Sequence, residues 1–299
     1  MRTVKQFTPA LLDRFRAEAR GLGTYADYVP WHRVTRGEPS SRGRSHLLFW
    51  RGRHRELLSD IEWVTLCFAV LIPTLGDLRE QFPLTLETAD HEIAAYDARF
   101  TGHLRPGTLE LADALKVRHP VVSNDGVTAP WVMSTDFLLT LKSAGRRPEL
   151  LAVACKSAGD VLRRRTKEKL RLEREYWLAR GVPWLLITPD LFDTSVGLTL
   201  RMATSWLLAD QVPPESRHIA IDVTTHRAGQ PLMSILNSIA SRLGDMHHAQ
   251  AAFWQAVWGG ELPVDLRRGW RPQEPLELLG QQAFVTLNPL ASRRSAWTD

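Results

Sequence analysis

Apolar positions along this chain follow two rhythms. The N-terminal stretch MRTVKQFTPALLDRFRAEAR is amphipathic and charged and predicts a helix, and residues 54–72, HRELLSDIEWVTLCFAVLI, predict a second, mostly buried helix. DLREQFPL then reads as a short strand running into Pro83, which cannot donate to a ladder and belongs at an edge or a strand end. Residues 85–130 are mixed and punctuated by Pro106, Gly107, Pro120 and Gly126. Two buried strands follow at 131–141 (WVMSTDFLLTL) and 149–156 (within PELLAVACKSAGD), joined by the turn-like KSAGRRP. A charged amphipathic helix over about 160–180 stops at Gly181 and Pro183, and PWLLITPD reads as a further buried strand. Helix, three strands, helix and strand, in that order, predict an α/β fold with a mixed sheet flanked by helices.

From about residue 191 the texture becomes helical, in TSVGLTLRMATSWLLAD, QPLMSILNSIASRLGD and AQAAFWQAVWGG, with ELPVDL and QQAFVTLNPL as short terminal strands. Pro189 and Asp190 interrupt the pattern, so the expected division is 1–190 and 191–299, the second part being a smaller helical, winged-helix-like domain.

Composition narrows the class. Of 299 residues, 44% are hydrophobic and 24% charged, as in a soluble globular protein, and no window approaches the length of an apolar membrane span. Cys67 and Cys155 both sit in apolar runs, which fits small core residues in a reducing cytoplasm better than a disulfide or a zinc site. The net charge of +5 is a modest bias toward polyanions. Its distribution says more: SSRGRSHLLFWRGRHREL holds Arg42, Arg44, His46, Arg51 and Arg53, and VLRRRTKEKLRLERE holds Arg163 and Arg164, all candidates for contacting DNA phosphates. Solvated faces are the ordinary alternative for such runs.

Three ionisable residues stand out because they interrupt apolar patterns. Glu62 shares a helical stripe with Leu58, Leu66 and Ala69, Asp136 lies inside one buried strand, and Lys156 ends the next, on the face of Ala154. Each has an ordinary reading: a glutamate at the solvent edge of its stripe, an aspartate capping a turn or pairing with arginine, a lysine reaching water. Together they offer hard oxygen ligands for Mg²⁺ beside a cation, the components that phosphodiester hydrolysis needs. His247 and His248 diverge on a helix and lack a matching ligand set. Trp177, Trp184, Trp206, Trp254 and Trp258 fit the core, and no nucleotide-binding loop is present.

The wording of the chain over about 20–190 resembles the TnsA family, the endonuclease subunit of heteromeric cut-and-paste transposases. The resemblance is carried by GTYADYVPWHRV, SSRGRSH, LLSDIE, DLREQFPL, HPVV, VMSTDFLL and LEREYWLARGVPWLLIT in this order. It implies a fold like that of type II restriction endonucleases and a requirement for Mg²⁺, with Mn²⁺ as a substitute. Catalytic Glu62, Asp136 and Lys156 are implied, with a further acid at Glu173. Such proteins usually carry Glu or Gln two residues before the lysine; here that position is Ala154, leaving the Cys155 carbonyl, Glu62 or Glu173 to supply the missing oxygen. The implied role is cleavage of the non-transferred 5′ strands at transposon ends, beside a TnsB-type transposase and a TnsC-type ATPase regulator. A DNA-binding scaffold with a decayed centre, or a stand-alone restriction-like nuclease, are the alternatives.

Overall fold

The computed structural model of the chain describes residues 6–35 and 44–298. The order begins with helix α1 (Pro9–Ala17), hairpin strands β1 (His46–Trp50) and β2 (Arg53–Leu57), helix α2 (Asp60–Val70) and strand β3 (Leu75–Pro83). A two-residue pair, β4 (Ala89–Asp90) with β5 (Leu104–Arg105), precedes α3 (Thr108–Ala114) and the hairpin β6 (Val121–Asn124) and β7 (Val127–Pro130). Then come β8 (Ser134–Leu141), β9 (Glu149–Cys155), α4 (Ala158–Val161), α5 (Arg164–Leu178) and β10 (Trp184–Ile187).

Four strands form the central sheet in the order β10-β9-β8-β3. β8 is buried from Thr135 to Leu141 and β9 from Leu150 to Cys155, the continuous apolar run of strands covered on both faces. β8 pairs antiparallel with both β3 and β9, whereas β10 lies parallel to β9, because α5 carries the chain back across the sheet between them. β3 is an edge, and Pro83, its last residue, occupies the place where a missing N–H breaks no ladder.

Two boundaries differ from the pattern-based expectation. Residues 54–57 are strand, not helix, because Arg51 and Gly52 both adopt positive φ (48° and 80°) and close a tight hairpin that pairs Trp50 with Arg53. α2 starts only at Asp60, where Ser59 Oγ accepts the Glu62 N–H at 3.2 Å and the Glu62 carboxylate reaches back to the Leu58 N–H at 2.8 Å, a variant of the capping box. The helix expected over 160–180 is two helices, α4 and α5, with Leu162 and Arg163 between them.

One compact unit contains the described residues up to Glu62, Thr74–Thr188 and Trp297; the other contains Trp63–Pro73 and Pro189–Ala296, so that the division passes through α2. The second unit is helical: α6 (Thr194–Leu207), α7 (Pro214–His226), α8 (Leu232–Leu243), α9 (Met246–Trp258) and α10 (Gln281–Leu287). α9 is its hub, buried without a break from Ala251 to Trp258. The later part of α2 belongs to this unit's core: Trp63 Nε1 donates to Thr204 Oγ1 (2.9 Å), and the Asn288 amide donates to the Phe68 carbonyl (2.8 Å). α7 had no counterpart in the sequence expectation. The expected strand in QQAFVTLNPL is instead α10, and ELPVDL makes only the isolated bridge Val264–Leu278, so the strand pair of a wing is absent among the described residues. No described helix is long and apolar enough to cross a membrane.

Candidate active site

β8 and β9 stay in register up to Phe137 opposite Val153, so Asp136 and Ala154 are the next facing pair, at the end of the sheet where β9 gives way to Lys156. There the ladder is replaced by side-chain bonds. Asp136 Oδ2 accepts the Cys155 N–H at 2.6 Å and Lys156 Nζ at 2.9 Å, and Lys156 also donates to the Cys155 carbonyl at 2.8 Å. The Asp136 side chain is 11% exposed and that of Lys156 31%, so the pair is largely buried but still reachable from solvent, mainly through the lysine.

Glu62 enters from the first turn of α2. Its buried carboxylate accepts from the Leu58 N–H (2.8 Å), Ser59 Oγ (3.0 Å) and Gln81 Nε2 (2.9 Å). Burial pushes its pKa up to about 8, the Asp136 charge adds to the rise, and the Leu58 N–H, Lys156 and Ser59 oppose it without prevailing. Glu173, on α5, is raised to about 7, again by burial first, with Lys156 opposing and Asp136 reinforcing. For Lys156 burial acts in the lowering direction, but Asp136 and then Glu173 outweigh it and hold the ammonium above its usual range.

Glu173 stands apart from the other two acids. Its Oε1 accepts from Thr135 Oγ1 (3.0 Å) and Trp184 Nε1 (3.2 Å). Thr135 is the neighbour of Asp136 on β8 and Trp184 begins β10, so Glu173 is anchored next to the Asp136–Lys156 pair without a hydrogen bond to either among the described residues. Its charge acts on both Lys156 and Asp136. Among the described residues, no three His, Cys, Asp or Glu side chains gather into a group able to hold a metal. Glu62 and Asp136 with the Cys155 carbonyl nevertheless suit Mg²⁺, which takes one or two carboxylates and keeps several waters. Burial is the main cause of the elevated Glu62 pKa and the Asp136 charge the second, and a cation beside the two carboxylates would oppose both.

Gln81 was not singled out from the sequence. It lies on β3 between Glu80, opposite Phe137, and Phe82, opposite Thr135, which sets it level with Asp136. It is 1% exposed and adopts φ 50°, a left-handed conformation that costs a non-glycine residue on the order of 1–3 kcal/mol. Its only sequence signal was a polar residue between Glu80 and Phe82 in a buried strand.

Of the basic candidates, several have structural employment. Arg53 is buried and paired with Glu80 (2.5 and 2.7 Å), donating also to the Leu78 carbonyl, so it is not available to phosphate. Arg51 stacks on Trp50 and donates to the Leu75 and Gly76 carbonyls. Arg44 and His46 both bond Asp60, at 2.7 and 2.8 Å, beside the start of α2. Arg42 falls outside the described residues. Arg163 and Arg164 are exposed and pair with Asp160 and Glu168.

A cleft of about 650 Å³ opens beside Arg164, lined by Lys116, Arg118, His119, Arg165, Glu168 and Lys169 among others. Lys116, Arg118 and Lys169 have no ion pair among the described residues. Burial lowers the Lys169 pKa, and the charges of Arg165 and Lys156 lower it further, which ties the cleft electrostatically to the Asp136–Lys156 pair. The loop Lys116–Pro120 was missed because it lies in the stretch whose pattern is mixed.

Residues 73–189 match the family described as TnsA-like endonuclease, N-terminal. That span holds Gln81, Asp136, Lys156 and Glu173 but not Glu62. The chain is also 33% identical over 203 residues to the transposon Tn7 transposition protein TnsA of Escherichia coli, an alignment covering 67% of this chain and 63% of that relative, so the match spans less than two thirds of the relative's length. With those motifs on a mixed sheet whose end carries an aspartate paired to a lysine, this chain belongs to the TnsA-like family.

Proposed function

We propose that the protein is a Mg²⁺-dependent DNA endonuclease subunit of a transposase, hydrolysing the non-transferred 5′ strand at each transposon end. The observation that carries this reading is the Asp136–Lys156 pair at the open end of the sheet, with Glu62 arriving from α2. When bound, a divalent cation polarises the scissile phosphate and lowers the pKa of a water. The chain's own groups set the frame. Asp136 and Glu62 present carboxylate oxygens on one side of the sheet, and Cys155 adds a carbonyl. Lys156 remains an ammonium at neutral pH, so it acts as a donor that orients water and offsets charge growing on the phosphoryl oxygens, not as a general base. The cleft lined by Lys116, Arg118 and Lys169 supports a polyanionic substrate whose backbone passes close to Lys156.

Partners follow from the kinship. The relative's name, a transposition protein, supports an assembly at transposon ends with a TnsB-type transposase that cuts and joins the other strand, and with a TnsC-type ATPase regulator. The deciding experiment is a Mg²⁺-dependent nicking assay on transposon-end DNA with both partners present, run on the parent and on Asp136→Ala and Lys156→Ala. Nicking by the parent alone supports the reading. Ala154 favours one competing reading, a scaffold whose centre has decayed, and no cleavage with every partner present would establish it. Robust cutting of unrelated DNA without partners would instead point to a stand-alone nuclease.

A further inference from the structure

Gln81, Asp136 and Ala154 lie at one level across three adjacent strands. Gln81 sits between the pairs Glu80–Phe137 and Phe82–Thr135, level with Asp136, and Ala154 follows Val153, the partner of Phe137, at the same level on the other side. The row flanks Asp136 with a glutamine on one strand and an alanine on the other, and the bond to Glu62 brings the Gln81 carboxamide to the site. Ala154 is fully buried and brings no polar atom to the site. Gln81 is just as deeply placed and does: its Nε2 donates to Glu62 Oε2 at 2.9 Å.

The backbone at Gln81 is a second, independent sign. A buried glutamine held at φ 50° inside a strand is kept there against its intrinsic preference, and such strain gathers at sites where a side chain must be aimed. Glycine would adopt that backbone without steric strain. The carboxamide spends its hydrogen bond on the Glu62 carboxylate, a group of the site, and not on holding two strands together.

We propose that Gln81 is a positioning residue of this site, taking from the opposite side of Asp136 the part that position 154 leaves unfilled. Its amide N–H holds the Glu62 carboxylate in place beside Asp136, the role through which it would support a bound cation. This rests on the nuclease reading above, and the two are separated by experiment.

The test uses the full chain and Gln81→Gly, which removes the carboxamide while suiting the positive φ. Mn²⁺ affinity is measured by calorimetry without DNA, and nicking is measured with both partners. The variant is expected to melt at or above the parent's temperature, yet to bind Mn²⁺ about 10–100-fold more weakly, the range typical of outer-shell partners, with nicking reduced in step. Adding Ala154→Gln to Gln81→Gly is expected to restore part of the lost affinity, which a purely structural role for Gln81 would not allow. Parent-like Mn²⁺ affinity and nicking in Gln81→Gly overturn the proposal and leave the nuclease reading intact. A parent that neither binds Mn²⁺ nor nicks overturns the nuclease reading and this proposal with it.

Discussion

Lys156 Nζ sits 2.9 Å from Asp136 Oδ2, and the same carboxylate oxygen takes the Cys155 N–H at 2.6 Å. One oxygen of Asp136 thus fixes both the lysine and the backbone turn that presents it. This leaves Oδ1 as the oxygen of Asp136 not engaged in either bond, and it makes the pair a unit: neither residue keeps its geometry without the other.

Removal of either partner is therefore expected to cost nicking by about 10²–10³-fold or more, as when one charge-stabilising group is deleted from a preorganised site. Asp136→Asn, Lys156→Met and the double variant, compared in single-turnover nicking, should show the double variant no worse than about tenfold below the singles, because groups acting as a unit are not additive. Multiplicative losses would show that the two act separately.

The pH dependence of stability gives a metal-free test. The Glu62 pKa is about 8 in the folded chain against an ordinary 4.5, so between these values the folded state binds more protons than the unfolded one. Its stability accordingly falls as pH rises through that window. Glu62→Gln abolishes this loss, and its melting temperature relative to the parent's should climb from pH 4.5 to pH 8 and then level off. A difference that stays flat with pH would contradict the burial of an ionisable Glu62. Added Mg²⁺ should raise the parent's stability most at the alkaline end, where the carboxylate is ionised.

Arginines separate by burial. Arg53→Ala strips the closer of two arginines from a fully buried Glu80, which keeps Arg55 at 3.5 Å, so the loss read by chemical denaturation should approach but not exceed the roughly 3–5 kcal/mol of a broken buried pair. Lys116→Glu and Arg118→Glu, in the cleft, should instead leave the melting temperature nearly unchanged while weakening DNA binding. For every phosphate that the variant no longer neutralises, the slope of log affinity against log salt should shrink by about 1. Unchanged affinity and slope would remove the cleft from the substrate path.

Ser59 ties helix initiation to the site, since its hydroxyl caps α2 and also donates to Glu62 at 3.0 Å. Ser59→Ala is expected to cost about 1 kcal/mol of stability, typical for loss of an N-cap. Mn²⁺ affinity should fall as well, because Glu62 loses one of the donors that orient it. A stability loss with intact affinity would confine Ser59 to capping.

Much of this arrangement is legible in the linear pattern. Asp136 and Lys156 stand out because β8 and β9 are buried, largely apolar strands, with the aspartate inside one and the lysine directly after the other. The mixed sheet followed from the helix between β9 and β10. What the pattern concealed has a common physical origin in contacts remote along the chain. Arg53 resembles any exposed arginine until Glu80, 27 residues away, is found against it. Gln81 gains meaning only through the register of β3 on β8, and the partners of Glu173, Thr135 and Trp184, come from two strands that are not neighbours in the chain. The second helical unit takes Trp63–Pro73 into its core, a grouping that no linear division of the chain produces.

The central claim is that Glu62 and Asp136 share one divalent cation at the end of the sheet. A crystal of the full chain soaked in Mn²⁺ and measured for anomalous scattering tests it most directly. The account predicts a peak in direct or one-water reach of both carboxylates, with Lys156 beside it. A peak elsewhere, or none at saturating Mn²⁺ with both side chains well ordered, would contradict it.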